Sequence, residues 1–191
     1  MEYFDVCDAD GRPTGEIVER AQAHRMDIRH RTAHVWIVRD CGGRTQVLLQ
    51  KRSAHKDSFP GKFDTSSAGH IPAGCEPLES ALRELKEELG IEALPEQLDY
   101  AGHFDIHYEK EFYGKPFRDN EYTFVYVYTG SVDADRVVCQ PEEVECVRWF
   151  DLQEVRDEIR HDRTRFCVPA EGLDVLIGYL QKHQSQAARH A

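Results

Sequence analysis

One helix sets the terms for this chain. Between Pro77 and Leu89, leucines 78, 82, 85 and 89 recur at helical spacing, with proline at the start and Gly90 just past the end. An apolar stripe of this kind must be buried against another apolar face. Most of the remaining ordered-looking sequence offers strands to supply one. His34 to Val38 and Gln46 to Gln50 flank the turn Asp40-Cys41-Gly42-Gly43 and read as a hairpin. Leu98 to Ile106, Glu121 to Tyr128 and Glu145 to Phe150 read as further strands, the second being rich in aromatic and β-branched residues. A short helix is expected after Asp151, through Glu154 to Ile159. Another is expected over about 170–183, where Leu173, Leu176, Ile177 and Leu180 keep the helical period. The pattern is α+β with a mixed sheet. Residues 1–184 read as one domain with an N-terminal arm over 1–30, and the polar residues 185–191 as a frayed tail.

The 191 residues are enough to bury a sizeable core. Asp and Glu outnumber Lys and Arg by 35 to 24, for a formal charge of −11, which argues against a nucleic-acid polymer as partner. No stretch approaches the length of a membrane span, and the acidic start Met1-Glu2-Tyr3-Phe4-Asp5 lacks the apolar run of a secretory signal. The six cysteines include no Cys-x-x-Cys pair and read as reduced thiols of a cytoplasmic protein.

Opposite the leucine stripe, Glu84, Glu87 and Glu88 fall within an arc of roughly 100°. Like charges at i,i+4 cost a few tenths of a kcal/mol, and a divalent cation reverses that sign. Arg83 precedes Glu87 by four residues and is placed to pair with it. Taken alone, Glu-x-x-Glu-Glu is the signature of any solvated acidic helix face.

The flanking residues change that reading. Gly69 to Ile91, GHIPAGCEPLESALRELKEELGI, is similar to the Nudix box: Gly, five residues, Glu, seven residues, Arg-Glu, an aliphatic, any residue, Glu-Glu, any residue, Gly and an aliphatic. Gly69, Arg83, Glu84, Leu85, Glu87, Glu88, Gly90 and Ile91 match, which from average residue usage has odds on the order of 10⁻⁸ in one window. Cys75 departs, standing where the box has its first Glu, with Glu76 next to it as a potential substitute. The resemblance implies the Nudix fold, a mixed β-sheet sandwiched between α-helices, and cleavage of a diphosphate joined to another group X. It implies that Glu84, Glu87 and Glu88 hold Mg²⁺ or Mn²⁺, that Arg83 orients the glutamates and that Gly69 permits a tight loop. It leaves the general base open among Glu87, Glu142, Glu143 and Glu145, and it allows a homodimer.

The resemblance extends beyond the box. Ala23-His24, Arg29-His30, Trp36, Leu48 to Arg52, Pro60-Gly61, Gly69-His70 and Asn120-Glu121 are similar to landmarks of the isopentenyl diphosphate isomerase branch of Nudix proteins. That likeness implies a second divalent site formed by His24, His30, His70 and Glu121, with Asp119 in place of one Glu. The isomerase also carries a catalytic cysteine just before Gly-His. Here Ala68 stands there, and alanine moves no proton, while the box glutamates are intact. Both differences favour hydrolysis over isomerisation, and the intact carboxylates favour it over a non-catalytic nucleotide sensor, for which Cys75 is the argument.

Arg52 and Lys51, at the end of the second strand, are expected to meet the phosphates, with Gly69 close by; Lys56 and Lys62 are alternatives. Phe59, Phe112, Tyr113 and Phe117 are expected to line or stack in the substrate pocket, and Phe63 to pack in the core. The stretch Tyr108 to Asn120 reads as a long loop over the site.

Overall fold

A computed structural model describes the backbone of residues 1–190 and the side chains of residues 1–185. Gly42 and Gly43, at φ 64° and 82°, close a two-residue turn of the kind that right-handed strand twist favours. The turn joins β3 (His30–Cys41) to β4 (Arg44–Arg52), with Ile37 opposite Leu48. Before it come β1 (Tyr3–Cys7), β2 (Pro13–Glu19) and α1 (Arg20–Met26), the arm that sequence patterning left without elements. After it follow β5 (Phe63–Asp64), β6 (Ser67–His70) and α2 (Pro77–Leu89). The chain continues with β7 (Leu98–Phe112), β8 (Lys115–Tyr128), β9 (Val144–Asp151), α3 (Leu152–His161) and α4 (Ala170–His190).

The main sheet runs β5-β4-β3-β8-β7, with β9 added beside β4 and β6 beside β3. Only β3 and β8 are parallel, so the sheet is mixed as expected. Strand alternation sorts the core into two layers. Val35, Ile37, Leu48, Tyr126 and Tyr128 face α2, meeting Ala81, Leu85 and Leu89. Trp36, Val47, Leu49, Val125 and Val127 face α3 and α4, meeting Val155, Ile159, Leu173 and Leu176. Burying a leucine such as Leu85 on this scale is worth about 1.5–3 kcal/mol.

One side of β3 is divided. Its first half, Thr32 to Val35, pairs with β6, and its second half, Ile37 to Cys41, pairs with β4. The fork opens the sheet at β6, where the chemistry-bearing residues collect.

Three expectations need correction. Residues 108–120 are not a loop: they complete a long β7–β8 hairpin that turns at Tyr113-Gly114, with Tyr108 opposite Asp119. The last helix, expected over about 170–183, runs on as α4 to His190, since no Gly or Pro stops it after Gly178; Ala191 lies outside the described residues. In α2, Leu78 and Leu82 are only partly buried, and the inner face is built by Ala81, Leu85 and Leu89 together with Glu88.

Candidate active site

Glu88 is the consequence of that rotated face. It lies about 60° from Leu85 around the helix, so it enters the protein with the leucines. The residue is 4% exposed. Its Oε2 accepts hydrogen bonds from Ser67 Oγ (2.7 Å), the Ala68 amide (3.1 Å) and Gln50 Nε2 (3.2 Å). Burial, and then the neighbouring Glu84 charge, pushes its pKa up to about 8. Glu84 is half-buried and likewise raised, first by burial. Glu87 stays exposed at the helix surface. The three glutamates therefore present one buried, one half-buried and one exposed carboxyl.

Arg83 aims chiefly at Glu84. Its Nη2 donates to Glu84 Oε1 (2.7 Å) and to the His70 carbonyl (3.1 Å), while its Nε lies 3.7 Å from Glu87 Oε2. The expected Glu87 partner is thus the longer contact. Gly69 is required for space: a Cβ there would stand 2.2 Å from Glu84 Cδ. The missing side chain lets the Glu84 carboxyl lie against β6.

Cys75 packs its side chain on the α2 layer. Its carbonyl accepts from Arg31 Nη2 (3.0 Å), which also pairs with Asp5 Oδ2 (2.7 Å); the Gly74 amide donates to the same Asp5 oxygen (2.9 Å). A buried ion pair reaching from β1 to β3 thereby anchors the loop. Glu76 is exposed and lies away from the cavity, so it does not replace the missing box glutamate.

On the other face of β6, His24, His30 and His70 converge, and His30 also meets Asp119 and Glu121; in each trio the ligand atoms lie within 4.8 Å of one another. His24 Nδ1 donates to the Arg118 carbonyl (3.1 Å) and His30 Nδ1 to the Ile28 carbonyl (2.8 Å). Because a carbonyl only accepts, both rings present an unprotonated Nε2 inward, the tautomer that suits a metal ligand. The Nε2 atoms of all three histidines, and Asp119 Oδ1, are buried without hydrogen-bond partners. Burial holds His30 down to about 4 and lowers His24 and His70. It also raises Asp119 and Glu121, the latter further by the Asp119 charge. Neutral imidazoles with free lone pairs beside two strained carboxyls fit a divalent cation. Phe4 of β1 stacks on His30 and His70 (centroids 4.9 and 4.5 Å), and Thr32 Oγ1 donates to Glu121 Oε2 (3.0 Å). Neither Phe4 nor Thr32 carried a sequence signal, because their roles depend on pairing with distant strands.

Both groups open on one cavity of about 890 Å³. Lys56, Phe59, Glu142 and Glu143 line it, as do Tyr108 and Phe117 from the hairpin. Phe112 packs edge-on to Phe59 (4.9 Å), while Tyr113 is exposed and its hydroxyl reaches only the Lys56 carbonyl (3.3 Å). Phe63 packs in the α3–α4 layer as expected. Two expected phosphate ligands are otherwise engaged. Lys51 pairs with Glu145 (2.7 Å) on β9, away from the cavity, which removes Glu145 as well. Arg52 reaches the cavity wall, but its guanidinium is committed to the Ser58 carbonyl (2.9 Å), Ser58 Oγ (3.0 Å) and Asp64 Oδ2 (3.1 Å). It shapes the loop after β4 rather than offering a free fork. Lys62 donates to the Arg163 carbonyl (2.8 Å), and Lys56 pairs with Glu143. Carboxylates outnumber Lys and Arg along the cavity walls by twelve to five.

The family model of the NUDIX domain matches residues 28–167. The chain belongs to the Nudix family. It is 37% identical over 143 residues to an uncharacterized Nudix hydrolase of Clostridium acetobutylicum, covering 75% of this chain and 66% of that protein. It is 40% identical over 158 residues to Nudix hydrolase 3 of Arabidopsis thaliana, covering 82% of this chain but 20% of that protein. The chain thus spans only part of these two Nudix relatives. An isopentenyl-diphosphate Delta-isomerase of Dinoroseobacter shibae is 28% identical over 156 residues, covering 81% and 80% of the two chains. Among solved structures, a Deinococcus radiodurans protein superposes with a TM-score of 0.68 at 17% identity, over 93% of this chain and 99% of that one. The NUDIX domain of Shewanella oneidensis NrtR, complexed with ADP ribose, gives 0.57 at 18% identity, over 87% and 99%. These likenesses establish the Nudix fold. No helix among the described residues is long and apolar enough to cross a membrane.

Proposed function

We propose that this chain is a metal-dependent hydrolase that cleaves the diphosphate linkage of an X-diphosphate. The observation that carries this reading is the charge of the cavity. Walls with twelve Asp and Glu against five Lys and Arg, acidic even with Glu88 and Glu121 protonated, repel a diphosphate unless divalent cations intervene. Glu84, Glu87 and Glu88 would hold Mg²⁺ or Mn²⁺ on one side of β6. His24, His30, His70, Asp119 and Glu121 would hold a second divalent ion on the other.

Bound there, such ions neutralise phosphate charge and lower the pKa of a coordinated water. The chain's own residues prepare for this. Ser67, Gln50 and the Ala68 amide fix the Glu88 carboxylate, and Arg83 fixes Glu84. Of the four candidate bases, Glu87 and Glu142 are left in the cavity to accept a proton from water, because Glu143 is tied to Lys56 and Glu145 to Lys51. Ala68, also on the cavity wall, carries no proton to deliver, which disfavours the isomerase alternative.

The test is release of phosphate from a panel of diphosphate compounds with Mg²⁺ or Mn²⁺, in the wild type and in Glu87→Gln. Glu87 is exposed, so the substitution spares the fold. Metal-dependent cleavage that disappears in the variant supports the reading. Full activity of Glu87→Gln contradicts the metal site, and tight binding without cleavage favours a sensor.

A further inference from the structure

Five Lys and Arg side chains line the cavity, and three of them are already paired. Arg20 pairs with Glu2 (2.9 Å) and Asp57 (3.6 Å), Arg52 with Asp64 (3.1 Å) and Lys56 with Glu143. The other two, Lys110 of β7 and Arg163 just past α3, form no ion pair among the described residues. The arginines on either side of Arg163 do: Arg160 pairs with Asp174 (3.7 Å) and Arg165 with Glu158 (2.7 Å).

The two unpaired cations are placed together. Strand alternation sends Tyr108 and Lys110 to one face, and Lys110 stands opposite Phe117 of β8, which also lines the cavity. The Lys110 ammonium lies over the rings of Phe59 (4.4 Å) and Tyr108 (5.2 Å), which hold the charge at the cavity wall. Arg163 is fixed by its Nε, which donates to the Ile159 carbonyl (3.1 Å), and by Lys62 Nζ, which donates to the Arg163 carbonyl (2.8 Å). The titratable groups that act on Lys110 are Arg163, Lys62 and Cys167, and burial followed by the two cations pulls the lysine pKa down. Burial pushes the Cys167 thiol well up, so it stays neutral at pH 7 and supplies no counter-charge. Glu109 is spent on Arg118 (3.0 Å), Asp162 accepts from the Thr164 amide (3.0 Å), and Glu171 lines the cavity without pairing with either cation. Three cations thus converge unneutralised, which is unfavourable until an anion reverses the sign. Asp119 of the histidine cluster is opposite Tyr108, and Lys110 lies one same-face step, about 7 Å, further toward the hairpin turn.

We propose that Lys110 and Arg163 form an anion subsite separate from both metal-binding groups, and that it takes a phosphate monoester carried on X. A phosphate monoester bears about −1.5 to −2 charges at pH 7, which two cations match. The guanidinium supplies a planar fork for its oxygens and the ammonium a point charge. The role of X rests on the diphosphate-hydrolase reading; the subsite itself does not.

The test has two arms. In the first, inorganic phosphate is titrated into the full chain in chelator and followed by phosphorus NMR. Lys110→Gln and Arg163→Gln should each weaken binding at least threefold, and the double variant at least tenfold. Both side chains are exposed, so the substitutions spare the fold. Arg160→Gln should stay within twofold of wild type. No saturable binding by the wild type, an undiminished double variant, or an equal loss in Arg160→Gln overturns the subsite. In the second arm the metal-loaded chain is offered NADP against NAD, and coenzyme A against dephospho-coenzyme A, pairs that differ only by a phosphate monoester. In at least one pair the wild type should favour the phosphorylated member fivefold or more through KM, and the double variant should bring that ratio to within twofold of one. A preference in neither pair overturns the assignment to X. So does an equal loss for both members, which puts the cations on the diphosphate itself. If no diphosphate is cleaved, the hydrolase reading fails, and the phosphate titration still decides the subsite.

Discussion

Replacing Gly69 by alanine separates the fold from the chemistry. The new Cβ would stand 2.2 Å from Glu84 Cδ. Carbon atoms in contact prefer about 3.5–4.0 Å, so the carboxyl must retreat by about 1.3–1.8 Å. The clash is with the end of a flexible side chain, and Gly69 does not use a left-handed backbone. Refolding around the methyl is therefore cheap, and Tm should move by no more than about 4 °C, the equivalent of roughly 1 kcal/mol in a chain of this size. The active site cannot absorb the same shift. A displaced Glu84 leaves Arg83 Nη2 and changes its distance to any ion shared with Glu88. Displacements of about 1 Å cost on the order of 10²-fold in rate. Steady-state hydrolysis across a Mg²⁺ titration, with melting curves on the same samples, measures both quantities. A variant with kcat/KM within threefold of wild type and an unchanged metal midpoint would refute the placement of Glu84 as a ligand.

Three further outcomes are expected. In metal-free protein Glu88, raised to about 8, makes the folded state bind its proton more tightly than the unfolded chain, so this contribution is full below about pH 4.5 and is lost as pH rises through 8. With chelator present, Glu88→Gln should gain on wild type between pH 5 and 8 by up to a few kcal/mol, and added Mg²⁺ should raise the Tm of the wild type alone; parallel curves for the two proteins would count against a buried, strained carboxyl. His70→Gln should lower the tightly bound metal content measured by atomic emission on dialysed protein, and unchanged stoichiometry would remove the histidine cluster from consideration as a metal site. Arg31→Met leaves Asp5 buried beside an uncompensated gap and should cost about 3–5 kcal/mol, whereas the double change with Asp5→Leu should recover much of the loss in chemical denaturation.

Much of this molecule was legible in its residues because the signals were local. The Pro77–Leu89 helix, the Gly42-Gly43 hairpin and the strand at Glu121–Tyr128 follow from periodicity, capping and turn chemistry within a few residues of one another. The box glutamates and Gly69 were readable for the same reason. The histidines were readable only by resemblance, since His24, His30 and His70 are far apart along the chain.

What the residues could not specify depends on which surfaces meet. Helical spacing alone places Glu88 with its acidic neighbours, but packing turned the helix so that it enters the core and takes hydrogen bonds from β4 and β6. Arg52 and Lys51 have the same charge in sequence, yet Asp64 and Ser58 engage the first and Glu145 the second. Residues 108–120 look polar and loop-like because the inward face of this hairpin arm meets the polar cavity rather than the apolar core, and places Asp119 beside Tyr108 and Phe117. The sequence by itself determined the central helix, the Gly42-Gly43 hairpin and the grouping of the box carboxyls, because propensity and spacing act over one or two turns. Only the tertiary structure decided that the box glutamates and the histidine cluster share one cavity across β6, because strands distant in sequence have to be registered before their side chains can meet.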